Sequence, residues 1–246
     1  MLYTAPIRQS NTSPKGLEYS PLPRISTSVF RKELLHRSLI TYTIPSERVR
    51  ELVPMEFGVG ETTVLTVESF LDYARSNFEQ TNYRLHGQLQ GRPCSWLLGT
   101  SLGSLSGVTA RHLYPLPWHL SAMEFQVAID PVTERYRKYR LNTQSQWANA
   151  TWDIVDTGVP VRAIEQSLEI TDHFVRRDGQ LGSYQTLYKP TFTTRGQVQH
   201  GRCDRLEMLG LLSPDELRHP TAVQLQRAVS SEVKPAFSPL NTAVAV

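Results

Sequence analysis

The sequence predicts an α+β protein: a mostly antiparallel β-barrel or sandwich with a few helices attached. Three observations carry this. Short runs of strand character are many, helical stretches are few, and regular βα alternation is absent.

The elements follow in chain order. Residues 1–28 are rich in Pro, Ser and Thr without a clear period, and read as an extended N-terminal arm. A single domain is expected over 29–234, because no internal repeat or linker divides it, and 235–246 reads as a C-terminal tail. Ser46, after Pro45, can cap a short helix with Val49, Leu52 and Val53 on one stripe, stopped by Pro54. "TTVLTVESF" (62–70) has strand propensity, and "CSWLLGTS" (94–101) reads as a buried strand. "SAMEFQVAID" (121–130) alternates Met123, Phe125, Val127 and Ile129, the period of a half-buried strand and here an expected barrel strand. Asp130-Pro131 then turns the chain. "RYRKYRLN", "SQWANATWDIV" and "TRGQVQHGRC" continue as strands. "QSLEITDHFV" (166–175) is expected to be a short helix capped by Ser167, and "SPDELRHP" (213–220) a capped helical turn.

At 246 residues, with 39% apolar and 20% charged side chains, the chain can bury a sizeable core. A net charge of +3 sets up no field favouring nucleic acid or an anionic membrane. No apolar run reaches the roughly 18 residues of a membrane span. "MLYTAPIRQS" lacks the apolar centre of a secretory signal, so the expected location is cytoplasmic. Cys94 and Cys203 stand far apart, which suits two thiols in a reducing compartment and leaves one disulfide open.

Several stretches carry candidate chemistry. "GTSLG" (99–103) fits the G-x-S-x-G nucleophile elbow, which would expose Ser101 to a histidine base. A strand-to-helix turn rich in Gly and Ser accounts for the same pattern, and no Gly run upstream supplies an oxyanion hole. The seven histidines show no metal-ligand spacing, so neither metal nor cofactor is expected. "RYRKYR" (135–140) interleaves basic and aromatic residues, as a single-strand binder does, but a charged edge strand explains it equally and nucleic acid is not expected. On a regular strand Arg135, Arg137 and Tyr139 would share one face. Glu68, Glu79, Arg84 and Glu124 lie in or beside strands. In a closed barrel such residues can face the lumen and orient a polar ligand, whereas in a sandwich they face solvent.

"ARHLYPLPWHLSAM" (110–123) concentrates an Arg, two His, a Tyr and a Trp around two prolines. Together with "VPMEFGV" (53–59), "VESFLDY" (67–73), "NYR" (82–84), "SWLLGTSLGSLSGVTARHLYPLPWHLSAM" (95–123) and "HPTAVQLQRA" (219–228), it resembles the acetoacetate decarboxylase-like superfamily, most of all the uncharacterised bacterial YqjF-type branch. The resemblance covers roughly 38–233. It implies a large cone-shaped β-barrel around a small-molecule cavity that takes a small organic acid or keto compound. In true acetoacetate decarboxylases the corresponding turn reads Arg-x-x-x-Gly-x-Pro-Lys-Lys, and one of those lysines forms the Schiff base. Here Arg111 and Pro117 keep their places, but the lysine positions hold Trp118 and His119. Neither indole nor imidazole supplies the primary amine that a Schiff base needs.

The resemblance therefore implies lyase-like or acid/base chemistry without a Schiff base, or a non-catalytic binder or assembly protein on the same barrel. A stiff turn between Pro115 and Pro117 is expected to aim Trp118 or His119 at the cavity. His119 is then the candidate acid or base, Arg111 a carboxylate clamp, and Glu79 the pocket carboxylate, one residue out of phase with Gln80. Trp118, Tyr114, Arg84 and Glu124 are the candidate binding residues. Homo-oligomerisation stays open.

Overall fold

The computed structural model describes residues 30–55, 57–73, 77–89, 91–103, 117–161, 170–177, 180–189 and 191–236. The arm expected over 1–28 lies outside them, as do Arg111 and Tyr114. In chain order the strands are β1 (Phe30–Pro45), β2 (Phe57–Gly58), β3 (Thr62–Tyr73), β4 (Asn77–Leu89), β5 (Arg92–Leu102), β6 (Trp118–Leu120), β7 (Ala122–Ile129), β8 (Tyr136–Gln144), β9 (Ala150–Pro160), β10 (Ile170–Arg177), β11 (Gln180–Tyr188), β12 (Thr193–Cys203) and β13 (Ala222–Ala236). One helical turn, α1 (Asp204–Met208), joins β12 to the segment before β13.

Seven strands close a barrel in the order β1-β3-β4-β5-β10-β11-β13, with β13 returning to β1. Every junction is antiparallel except β5–β10, which is parallel over Cys94–Trp96. A second sheet branches from β13 through β12, β9, β8 and β7. It folds back over the outside of the barrel. Ile40 and Tyr42 of β1, Leu65 and Val67 of β3, and Tyr83 and Leu85 of β4 pack there against Leu141, Trp152, Ile154 and Val198 of the second sheet. Burying one such side chain stabilises by about 1.5–3 kcal/mol.

This two-layer arrangement inverts the usual logic of a small barrel. Successive strand residues point to opposite faces. The outward face is the apolar one because the second sheet covers it. The inward face is then free to be polar, and on β4 it carries Gln80, Asn82, Arg84 and His86.

Two sequence expectations are corrected here. "SAMEFQVAID" forms β7, but at the edge of the second sheet and not in the closed ring, since alternation reports one buried face and not which layer buries it. Residues 170–175 are strand, not helix: β10 is hydrogen-bonded to β11 and β5, so tertiary pairing overrides local propensity. The capped segments at 46 and 213 form only short 3-10 turns, Ser46–Arg48 and Glu216–Arg218. Cys94 and Cys203 are both buried and are not bonded to each other, and burial pushes the Cys203 thiol up to about 12. Among the described residues no helix is long and apolar enough to cross a membrane.

Candidate functional site in the barrel interior

The polar interior is centred on Glu68, which is fully buried on β3. The regular β3–β4 register sets Glu68 opposite Asn82, with Arg84 one pair further along beside Thr66. Arg84 Nη1 donates to Glu68 Oε2, and Asn82 Nδ2 donates to the same oxygen at 3.2 Å. From the other side Arg37 Nε donates to Glu68 Oε1 at 2.6 Å.

Arg37 reaches Glu68 because of a bulge. Lys32 and Leu34 of β1 line the cavity, so regular alternation would send Arg37 outward. Between Leu35 and Ser38 the register with β3 slips by one residue, and His36 takes a positive φ of 51°. The extra residue reverses the alternation and turns Arg37 in. Two tyrosines of β8 hold the bulge: Tyr139 Oη donates to the His36 carbonyl at 2.7 Å, and Tyr136 Oη lies 3.2 Å from His36 Nδ1. Both tyrosines are buried, which corrects the face assignment for 135–140. A register shift beside Ile129 puts them on one side and leaves Arg137 and Lys138 exposed.

Around this centre the network continues. Arg37 Nη1 donates to Gln226 Oε1 at 2.6 Å, and the Arg37 guanidinium stacks 4.2 Å above the Tyr188 ring. Gln80 and Thr100 both donate to Asn82 Oδ1, at 2.7 and 2.9 Å. Burial alone would push the Glu68 carboxyl up, but the Arg84 and Arg37 charges outweigh it and hold it well below the usual carboxylate range. Burial depresses the His86 imidazole to about 4, with Arg84 reinforcing it. The same two causes place His173 well below its ordinary value.

A cavity of about 80 Å³ opens beside this network. Lys32, Asp72, Phe78, Gln80, Arg84 and Trp118 are among its lining residues. Lys32 Nζ pairs with Asp72 Oδ2 at 2.5 Å. Among the described interior residues the charged groups are three cations (Lys32, Arg37, Arg84) and two carboxylates (Glu68, Asp72), with Arg37 and Arg84 sharing Glu68. A larger groove of about 620 Å³ runs along the outside between β12 and β13. There Arg218 is already paired with Asp215 at 2.8 Å.

The predicted site residues separate into two groups. Arg84 and Trp118 line the cavity. His119 does not: β6 is a short strand parallel to β5, so Trp118 beside Thr100 points inward and His119 beside Ser101 points outward. His119 stacks on Trp147 with ring centroids 4.7 Å apart. The segment expected to be a turn is thus a strand over Trp118–Leu120. Glu79 is out of phase with the cavity and meets Gly103 on the outer face, while its neighbour Gln80 lines the interior. Glu124 is exposed on β7, bonded to Gln126 at 2.7 Å.

Ser101 is buried near the C-terminal end of β5, within the strand and not on an elbow. Both glycines of "GTSLG" have packing reasons, since a Cβ at Gly99 would strike the Trp147 indole and one at Gly103 the Glu79 carboxylate. Sequence reasoning missed Lys32, Arg37, Ser95, His173, Tyr184 and Tyr188. The available signal was Thr66 and Glu68 facing Asn82 and Arg84 at i, i+2 within otherwise apolar strands.

Solved structures share this architecture. An acetoacetate decarboxylase-like enzyme from Sphingomonas wittichii RW1 superposes with a TM-score of 0.61 at 8% identity, covering 88% of this chain and 94% of that one. The acetoacetate decarboxylase of Legionella pneumophila gives 0.55 at 10% identity, covering 94% and 97%. The fold is acetoacetate decarboxylase-like. The enduracididine biosynthesis enzyme MppR, in complex with the condensation product of pyruvate and imidazole 4-carboxaldehyde, also matches, with a TM-score of 0.57 at 9% identity over 85% and 88%. No protein-family model and no curated protein matches the chain by sequence.

Proposed function

We propose that the barrel cavity takes a small organic acid or keto acid, held by its carboxylate against Arg84. The observation that carries this reading is Arg84, a buried guanidinium that lines the cavity and whose Nε has no hydrogen-bond partner. A bound carboxylate would accept from it. The cavity volume of about 80 Å³ suits a ligand of a few heavy atoms. The structural neighbours support the same class of ligand: one of them is described as MppR complexed with pyruvate. The order of the sequence motifs favours the YqjF-type branch.

Schiff-base chemistry is not part of the proposal. Trp118 and His119 stand at the lysine positions, and the one described lysine of the cavity, Lys32, is engaged in an ion pair with Asp72. A protonated amine has no lone pair for a carbonyl. A second reading, binding without catalysis, is favoured by the placement of His119 outside the cavity. Calorimetric titration with pyruvate, acetoacetate, propionate and propionamide tests the proposal. The acids should bind and the neutral amide should not. Equal binding of propionamide and propionate, or no binding of any acid, would overturn it.

A further inference from the structure

We infer that the cavity selects an acid with a hydroxyl at the end far from its carboxylate: the carboxylate accepts from Arg84, and the hydroxyl donates to Asp72 Oδ1. This deepens the carboxylate reading above and rests on it.

Among the described residues that line the cavity, two buried side-chain atoms have no hydrogen-bond partner. One is a donor, Arg84 Nε, and the other an acceptor, Asp72 Oδ1. Asp72 is fully buried. A buried charged acceptor left unpaired is costly, and a ligand that brings a donor removes that cost. The two atoms do not serve each other, because they belong to opposite ends of the cavity. Asp72 stands across from Phe78 on β4, and Arg84 across from Thr66 on β3. At the rise of a strand these two positions are about 20 Å apart. The Arg84 side chain covers part of that span, since its partner Glu68 lies between Thr66 and Asp72 along β3. The ligand covers the rest.

The Asp72 end chooses what it accepts. Lys32 Nζ pairs with Asp72 Oδ2 at 2.5 Å, so one carboxylate oxygen is taken and the other is open. Lys32 also sits over the Phe78 ring at 5.9 Å. A hydroxyl suits this pair, because it accepts from the ammonium while donating to Oδ1. A ligand ammonium would meet Lys32 as a like charge. A second carboxylate carries no proton for Oδ1. Leu34, Phe70 and Phe78 surround Asp72 with apolar wall, which suits methylene groups between the two polar ends.

Calorimetric titration with butyrate, 4-hydroxybutyrate and 4-aminobutyrate separates the two ends. The wild-type protein should bind 4-hydroxybutyrate roughly tenfold more tightly than butyrate, the worth of one good hydrogen bond, and 4-aminobutyrate more weakly than 4-hydroxybutyrate. Asp72→Ala should bring the first ratio close to one. Lys32→Met removes the ammonium beside Asp72, so 4-aminobutyrate, which replaces it, should raise the Tm of this variant more than that of the wild type. The wild-type ratio needs no variant to fold. Equal binding of butyrate and 4-hydroxybutyrate, or a ratio unchanged by Asp72→Ala, would overturn this inference and leave the carboxylate reading standing. Failure of the wild-type protein to bind either acid would overturn both.

Discussion

Tyr139 on the second sheet donates a hydrogen bond of 2.7 Å to the carbonyl of His36, the residue whose bulge aims Arg37 at Glu68. The outer layer therefore sets the geometry of the inner one. Tyr139→Phe should leave the His36 carbonyl without this bond and lower stability by about 1–2 kcal/mol, a fall in Tm of about 2–8 °C by thermal unfolding. It should also weaken acid binding, because Arg37 loses its fixed approach. Unchanged Tm and affinity would show that the bulge holds itself.

Glu68→Gln removes the one carboxylate between Arg37 and Arg84. The expected cost is about 3–5 kcal/mol, since a buried carboxylate shared by two guanidinium groups is removed. Added acetate should raise the Tm of this variant more than that of the wild type. An equal response would argue against an anion site beside Arg84.

Borohydride treatment in the presence of acetoacetate should leave the protein mass unchanged, because Lys32 is paired with Asp72. A trapped adduct on Lys32 would show that the ion pair opens during ligand entry. Asp72→Asn, which weakens the pairing, is the variant in which trapping should first become visible.

Stability should fall as pH drops from about 6.5 to about 4.5. In that window unfolded histidines bind protons, whereas His86, depressed to about 4, and His173, held well below its ordinary value by burial, bind them less readily in the fold; burial lowers His36 as well. The unfolded state then holds more protons, so acid favours it. Glu68 acts lower: its stabilisation is present above about 4.5 and is lost as pH falls through its depressed folded value. Tm measured against pH should therefore decline in two stages, and His86→Phe should flatten the upper one.

Gly99→Ala places a methyl group against the Trp147 ring, which also carries the His119 stack. Overpacking of this kind costs about 1–3 kcal/mol. Binding in the cavity should survive, because Gly99 faces the outer layer. Loss of binding without loss of stability would tie Trp147 to the site.

Much was legible in the sequence, and its limits follow from the period of a strand. Runs of strand character located β3, β5, β7, β8, β9 and β12, and motif order pointed to the barrel. Arg84 and Trp118 face the cavity because they lie in regular stretches, where a motif fixes the phase. Glu79 and His119 were misplaced by one residue, and one residue on a strand is the difference between the two faces.

What the sequence determined by itself was the strand-rich fold class, the absence of lysine at positions 118 and 119, and a supply of charged residues at strand spacing. Tertiary structure decided which face of each strand looked inward. The second sheet claimed the apolar face, leaving the polar one for the lumen, and the bulge at His36 reversed the phase of β1 so that Arg37 entered. Ser95 and His173 stand 78 residues apart and meet only because β5 and β10 pair in parallel. Local pattern records the period of a strand, whereas its phase and its neighbours are set by hydrogen bonds between distant segments.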